Sequence, residues 1–365
     1  MKATVLTTIG ATTLLASAIA AVFASAEAAP IRERANPLRV SVMALGNGQV
    51  EVIVTNTSRK TARVPSWQLP SAAAEQNLFA VSHEGQPVRF EGAMIKRGTP
   101  TAADFAILRP GQSHRAVVNL GKMYDMTQVG RYTVTYSAPL QFASMSGGTQ
   151  LKQANGLPMV AQGAPIQFFH DAAAAKESSR VRASAKPSTG GTVVNGVSYV
   201  GCSSTQINGA GNAVVAARQY SENSKGYLNG GTVGPRYTTW FGAYTSQRYG
   251  TAQQHFQAID AAMDQSGGQI KINCGCNQSY YAYVYPTRPY EIFVCRAFWS
   301  APNTGTDSKA GTLIHEMSHF NAVAATDDHA YGQTAARNLA LSDPTRALDN
   351  ADNHEYFAEN TPSQN

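Results

Sequence analysis

Short runs that alternate apolar and polar residues fill the first part of the chain, and longer runs with helical spacing fill the last part. Residues 38–45, 49–54, 80–83 and 132–136 alternate with a period of two, which predicts strands with one buried face. Gly46-Asn47-Gly48, residues 56–58, Glu84-Gly85 and Pro110-Gly111 punctuate them as turns. Together they predict a small antiparallel sandwich of immunoglobulin-like type over residues 27–170. Residues 171–191, DAAAAKESSRVRASAKPSTGG, carry no apolar periodicity and read as an exposed linker. Beyond it, residues 204–220 and 251–263 have helical spacing, with Phe256, Ile259 and Met263 on one face. Residues 269–273, 280–285 and 291–294 read as short strands, so residues 192–365 are expected to form an α+β domain.

Composition refines this division. A chain of 365 residues with 43% hydrophobic and 14% charged residues can build two cores. Residues 1–26 have the form of a secretory signal peptide: Lys2, an apolar run over 5–24, and a small-residue cleavage site at Ala24-Ser25-Ala26, with Ala26-Glu27-Ala28 as a second option. No later stretch is apolar over the roughly 18 residues a membrane helix needs, so a secreted protein without a membrane anchor is expected. The net charge of +6 suggests a nucleic-acid binder, but its distribution argues otherwise. Residues 27–186 hold 18 Lys and Arg against 10 Asp and Glu, whereas residues 187–365 hold 10 against 13. The basic excess belongs to the first domain, which leaves no basic surface assigned to the second. Cys202, Cys274, Cys276 and Cys295 all lie in the second domain, and an even count in a secreted chain favours disulfides over a cysteine metal site. Joining Cys274 to Cys276 would close a very tight ring, which disfavours one of the three pairings.

The chemistry is concentrated in residues 312–332, TLIHEMSHFNAVAATDDHAYG. His315 and His319, four apart on a helix, can direct one imidazole nitrogen each at a single ion. Glu316 then lies beside the ion as a carboxylate that can take the proton of a metal-activated water and pass it to a leaving amine. Zinc needs a third protein ligand. The extension HExxHxxGxxH fails, because positions 322 and 325 are Ala, and no Glu occurs between Glu316 and Glu355. The candidates that remain are Asp327, Asp328 and His329.

HEMSH followed by ATDDHAYG resembles the aspzincins, the deuterolysin and peptidyl-Lys metalloendopeptidase family, whose second motif is GTxDxxYG. Ala325 stands where that motif has its first Gly, while Thr326, Asp328, Tyr331 and Gly332 match it. The resemblance implies a zincin-like metalloprotease domain with one catalytic zinc held by His315, His319 and Asp328, and with Tyr331 reaching the developing oxyanion. It also implies the disulfides Cys202–Cys274 and Cys276–Cys295, and it extends through YTTWFGAYTSQRYG across essentially all of the second domain.

The C-terminal stretch DNADNHEYFAENTP resembles the NADSYEYFAEN segment of the lysine-specific branch, with Asn353 and His354 in place of Ser-Tyr. By that match Asp352 and Glu355 line the pocket for the residue after the cut bond, and three apart on a helix they could converge on one ammonium. The expectation is therefore a secreted, monomeric zinc endopeptidase that cuts proteins and peptides on the amino side of lysine. The basic first domain would act on the acidic second one as an intramolecular inhibitor or chaperone, and self-cutting before Lys176 or Lys186 in the linker would release it. Two other readings are a broad-specificity deuterolysin-like protease and a secreted binding or toxin module with structural zinc. A structural site would require a fourth protein ligand.

Overall fold

The computed structural model describes residues 1, 35–73, 76–183 and 190–365, and Arg34–Asn365 form one compact unit. The expected signal peptide and Lys186 lie outside the described residues. The chain is of mixed α and β type, with a β-rich N-terminal region.

The alternating runs form strands as the pattern predicts. Leu38–Gly46 and Gln49–Asn56 pair as a hairpin in the register Val42↔Val52, and Ser113–Asn119 pairs on the far side of Gln49–Asn56. The turn falls on Gly46, Asn47 and Gly48, all at positive φ. That is the left-handed backbone which Gly and Asn adopt most readily. A second sheet orders Val160–Gln162, Gly130–Pro139, Phe79–His83 and Gln86–Val88, with Ile166–His170 also paired to Gly130–Pro139. Val50, Val52, Val54, Tyr132, Val134 and Tyr136 from these sheets are fully buried.

The segment expected to be a structureless linker begins instead as the helix Ala172–Ala183. Its alanines supply high helix propensity, and Ala174, Ala175 and Ser178 are buried. Alanine is too small to register strongly in an apolar periodicity, and for that reason the pattern left the helix unmarked.

The second half is built on a sheet ordered Thr192–Val194, Val197–Val200, Lys271–Asn273, Glu291–Val294, Ala282–Val284 and Met94–Lys96. Its last strand comes from the N-terminal region. Met94–Lys96 runs antiparallel to Ala282–Val284, with Lys96 opposite Ala282, and the Tyr281 N–H donates to the Lys96 carbonyl at 3.1 Å.

Helices cover this sheet. Ser204–Asn229 is longer than its periodicity suggests, because its second half is held by polar contacts. Ser221 donates to the buried Asp260 at 2.8 Å, and Lys225 pairs with the same carboxylate, which ties this helix to Ser246–Met263. Cys202 joins Cys274 and Cys276 joins Cys295, the pairing the resemblance implies, with Cα separations of 5.1 and 4.8 Å. Among the described residues no helix is long and apolar enough to cross a membrane.

Candidate active site

The motif residues lie on the helix Lys309–His319. Ser308 caps it, its hydroxyl accepting from the Gly311 N–H at 2.9 Å. Glu359 supports the cap from behind, accepting from the Ser308 N–H and hydroxyl at 2.8 Å each and from the Asp307 N–H at 3.2 Å. A side chain at Gly311 would collide with Glu359, since its Cβ would lie 2.1 Å from Oε1. The helix is buried from Ala310 to His319, enclosed by Ser204–Asn229, Ala351–Glu359 and the sheet.

His315 and His319 present their Nε2 atoms to one point. Asp328 Oδ1 lies 3.3 Å from the first and 3.5 Å from the second. Their other nitrogens face acceptors: His319 Nδ1 donates to the Thr326 carbonyl at 2.8 Å, and His315 Nδ1 lies at an ion-pair distance of 2.9 Å from Asp352 Oδ1. A partner that only accepts places the proton on Nδ1 and leaves Nε2 with a free lone pair. His315 Nε2, His319 Nε2 and Asp328 Oδ1 are buried and have no hydrogen-bond partner. Three converging, unsatisfied ligand atoms of N, N, O type fit one zinc ion with an open position.

Of the three candidates in the 327–329 cluster, Asp328 alone faces this point. Asp327 accepts from the Asn77 amide at 2.6 Å and from the Asp328 N–H at 2.8 Å, so both its oxygens are committed. His329 turns to Asp349 at 2.8 Å. Asn350 fixes the segment, its Oδ1 accepting from the His329 and Ala330 N–H groups at 2.8 and 3.0 Å. Ala325 adopts φ +54. The first Gly of the family motif therefore stands where the chain turns left-handed, and Ala takes that conformation at a cost of about 1–2 kcal/mol.

Glu316 is fully buried beside the histidines, and neither of its oxygens has a hydrogen-bond partner. Burial pushes its carboxyl up to about 8, against the pull of His315. Burial, and next Asp328, keep the Tyr331 phenol well above its usual value, so the hydroxyl stays a neutral donor. Gln141, from the N-terminal region, brackets the Tyr331 backbone, accepting from its N–H at 2.9 Å and donating to its carbonyl at 2.5 Å.

The second acidic group is occupied by a lysine of the same chain. Lys96 Nζ lies 2.5 Å from Glu355, 3.6 Å from Asp307 and 3.8 Å from Asp352, with the rings of Tyr281 and Tyr356 at 5.1 and 5.9 Å. Burial opposes its charge, but Glu355, Asp352 and Asp307 together outweigh it and hold the ammonium well above its usual value. Asp352 and Glu355 do converge on an ammonium, yet unequally. The nearest contacts of Asp352 are His315 Nδ1 and the Gly332 N–H, which donates to it at 2.6 Å. His354 is no part of this pocket: it packs against His255 Nδ1 at 3.0 Å, and burial pushes it down to about 3.

Asp307, Gln141 and Lys96 carry no motif signal and come into view only through the fold, and Asn350, though it falls in the C-terminal motif, shows its role only there. A cleft of about 730 Å³ runs between the N-terminal region and the site, lined among others by Asn77, Met94, Gln141, Asp307, Asp328 and Tyr331.

Comparison with known proteins identifies the family. Residues 228–359 match the aspzincin family model, described as lysine-specific metallo-endopeptidase. The chain is 42% identical over 323 residues to an extracellular protease of Aeromonas hydrophila, covering 87% of this chain and 89% of that one. It is 36% identical over 349 residues to a peptidyl-Lys metalloendopeptidase of Grifola frondosa, covering 90% and 95%. A solved zinc peptidase from Grifola frondosa is 46% identical, covering 45% of this chain and 100% of its own, with a TM-score of 0.43.

Proposed function

This chain belongs to the aspzincin family of zinc metalloendopeptidases, and on that footing we propose that it is a secreted zymogen whose mature form cuts peptide bonds on the amino side of lysine. The observation that carries the lysine preference and the latency together is Lys96: an ammonium from the N-terminal region fills an acidic pocket next to His315. The strand that brings it, Met94–Lys96, adds to the sheet edge as an extended peptide substrate would.

In this reading His315, His319 and Asp328 hold one zinc ion, which when bound activates water and polarises the substrate carbonyl. Glu316 takes the proton released by the attacking water and returns it to the nitrogen of the leaving lysine residue. Its place suits both steps, since it lies beside the three converging atoms with neither oxygen committed to another partner. The Tyr331 hydroxyl donates to the oxyanion as charge develops there. Glu355, with Asp352 beside it, receives the lysine ammonium. A ligand set of three, with no fourth protein donor at the same point among the described residues, favours catalysis over a structural zinc.

The N-terminal region would then be an inhibitor in two parts, Lys96 in the pocket and Gln141 on the Tyr331 backbone, and also a template for the ligand segment through Asn77 on Asp327. Release follows cutting within residues 171–191. Cutting before Lys176 requires the helix Ala172–Ala183 to open first. Secretion is supported by the relative named as an extracellular protease.

A synthetic peptide of residues 91–99, EGAMIKRGT, tests whether Lys96 stands in for a substrate lysine. It should compete with a lysyl reporter for the mature enzyme, and the same peptide with norleucine in place of the lysine should compete at least about tenfold more weakly. Equal competition by the two peptides would remove the pocket from the account.

A further inference from the structure

The loop that enters the motif helix brings a carboxylate to the lysine pocket. We propose that Asp307 is a specificity-determining residue, forming with Glu355 the pair that receives the substrate lysine, while Asp352 is chiefly the positioning carboxylate of His315. The proposal rests on the reading that Lys96 occupies the place of that lysine.

Three features support it. First, Asp307 Oδ1 and Asp352 Oδ1 lie at similar distances from the ammonium, 3.6 and 3.8 Å, but Asp352 lies closer still to His315 Nδ1, at 2.9 Å. With a second partner on the Gly332 N–H at 2.6 Å, Asp352 is engaged whether or not a lysine is present.

Second, Asp307 is presented by a built support. Its φ of +52 turns the loop, and Glu359 holds its N–H at 3.2 Å and that of Ser308 at 2.8 Å. The Tyr356 hydroxyl donates to Asp307 Oδ1 at 2.7 Å and so fixes the carboxylate from the pocket side. The ring of the same Tyr356 faces the ammonium.

Third, the arrangement suits one cation shape. An ammonium has three donors around a point, and here Glu355 and Asp307 take two directions while the Tyr281 and Tyr356 rings flank it. A guanidinium is a planar fork that asks for two parallel acceptors on one edge. The Glu355 side chain is 0% exposed and the Asp307 side chain 43% exposed, so Glu355 supplies the stronger attraction and Asp307 a solvent-screened one.

The test expresses the full chain, lets it mature and assays the zinc-loaded enzyme on matched peptides with Lys or Ala after the cut bond. Asp307→Asn keeps the shape, and Asn tolerates positive φ well. It should lower kcat/KM on the lysyl peptide roughly threefold, mainly through KM, and leave the alanyl peptide and the zinc content unchanged. Tyr356→Phe should shift the Lys-to-Ala ratio in the same direction by less. Asp352→Asn should instead weaken zinc binding and lower both peptides together. If wild type prefers lysine and both Asp307→Asn and Tyr356→Phe keep its Lys-to-Ala ratio, the role of Asp307 is overturned while lysine specificity stands. If wild type shows no lysine preference, the underlying reading fails and the proposal fails with it.

Discussion

Glu316→Gln should abolish peptide hydrolysis, by about a thousandfold or more, while the protein keeps its zinc. The magnitude follows from the removal of the group that moves protons in both halves of the reaction, which contributes roughly 10²–10⁴ by itself. Zinc is retained because the three converging atoms belong to His315, His319 and Asp328, and Glu316 is not among them. Replacing a buried unpaired carboxyl by its amide also leaves the volume of the site unchanged. His315→Ala, His319→Ala and Asp328→Ala should instead lose the metal, read by elemental analysis of the dialysed protein. Asp327→Ala should keep it, because both Asp327 oxygens are already hydrogen-bonded. Metal retained by Asp328→Ala and lost by Asp327→Ala would reverse the ligand assignment.

The uncut Lys96→Ala chain should hydrolyse a short lysyl reporter at least about tenfold faster than the uncut wild type. Lys96 is 1% exposed and faces three carboxylates, two of them fully buried. Breaking a buried pair by removing one partner costs about 3–5 kcal/mol, because the remaining charges are left without compensation. In the variant that cost is relieved when Met94–Lys96 leaves the sheet edge and water reaches the carboxylates, which opens the pocket to substrate. The uncut variant should also unfold at lower temperature. The control is Lys152→Ala, at an exposed lysine, whose uncut form should behave as wild type. An uncut Lys96→Ala chain as inactive as the uncut wild type, but fully active after maturation, would show that latency does not depend on this lysine.

Much of the site was legible because its chemistry is local in sequence. His315, Glu316 and His319 share one helical turn, and Asp328 follows the helix by a short loop, so spacing and family resemblance together specify them. The disulfide pairing was available from resemblance alone; elimination removed only one of the three arrangements. The strands at 38–45 and 49–54 were legible because their period of two matches a half-buried hairpin.

What the sequence concealed depends on distant contacts. Lys96 becomes part of the site only because Met94–Lys96 pairs with Ala282–Val284, and nothing near residue 96 marks that partner. The same strand crosses the expected domain boundary, since periodicity predicts a strand without saying which sheet it joins. Asp352 and Glu355 were placed on neighbouring helical directions by their spacing, but only packing against Lys309–His319 decides that Asp352 turns to His315. Asp307 sits in a loop whose conformation is imposed by Glu359, some fifty residues away.

The most direct measurement is amino-terminal mapping of a mixed protein digest by the mature, zinc-loaded enzyme, with a parallel digest after chelation. New amino termini should begin overwhelmingly with lysine, and they should disappear when the metal is removed. New termini no richer in lysine than the substrate proteins, or cleavage that persists without metal, would contradict it.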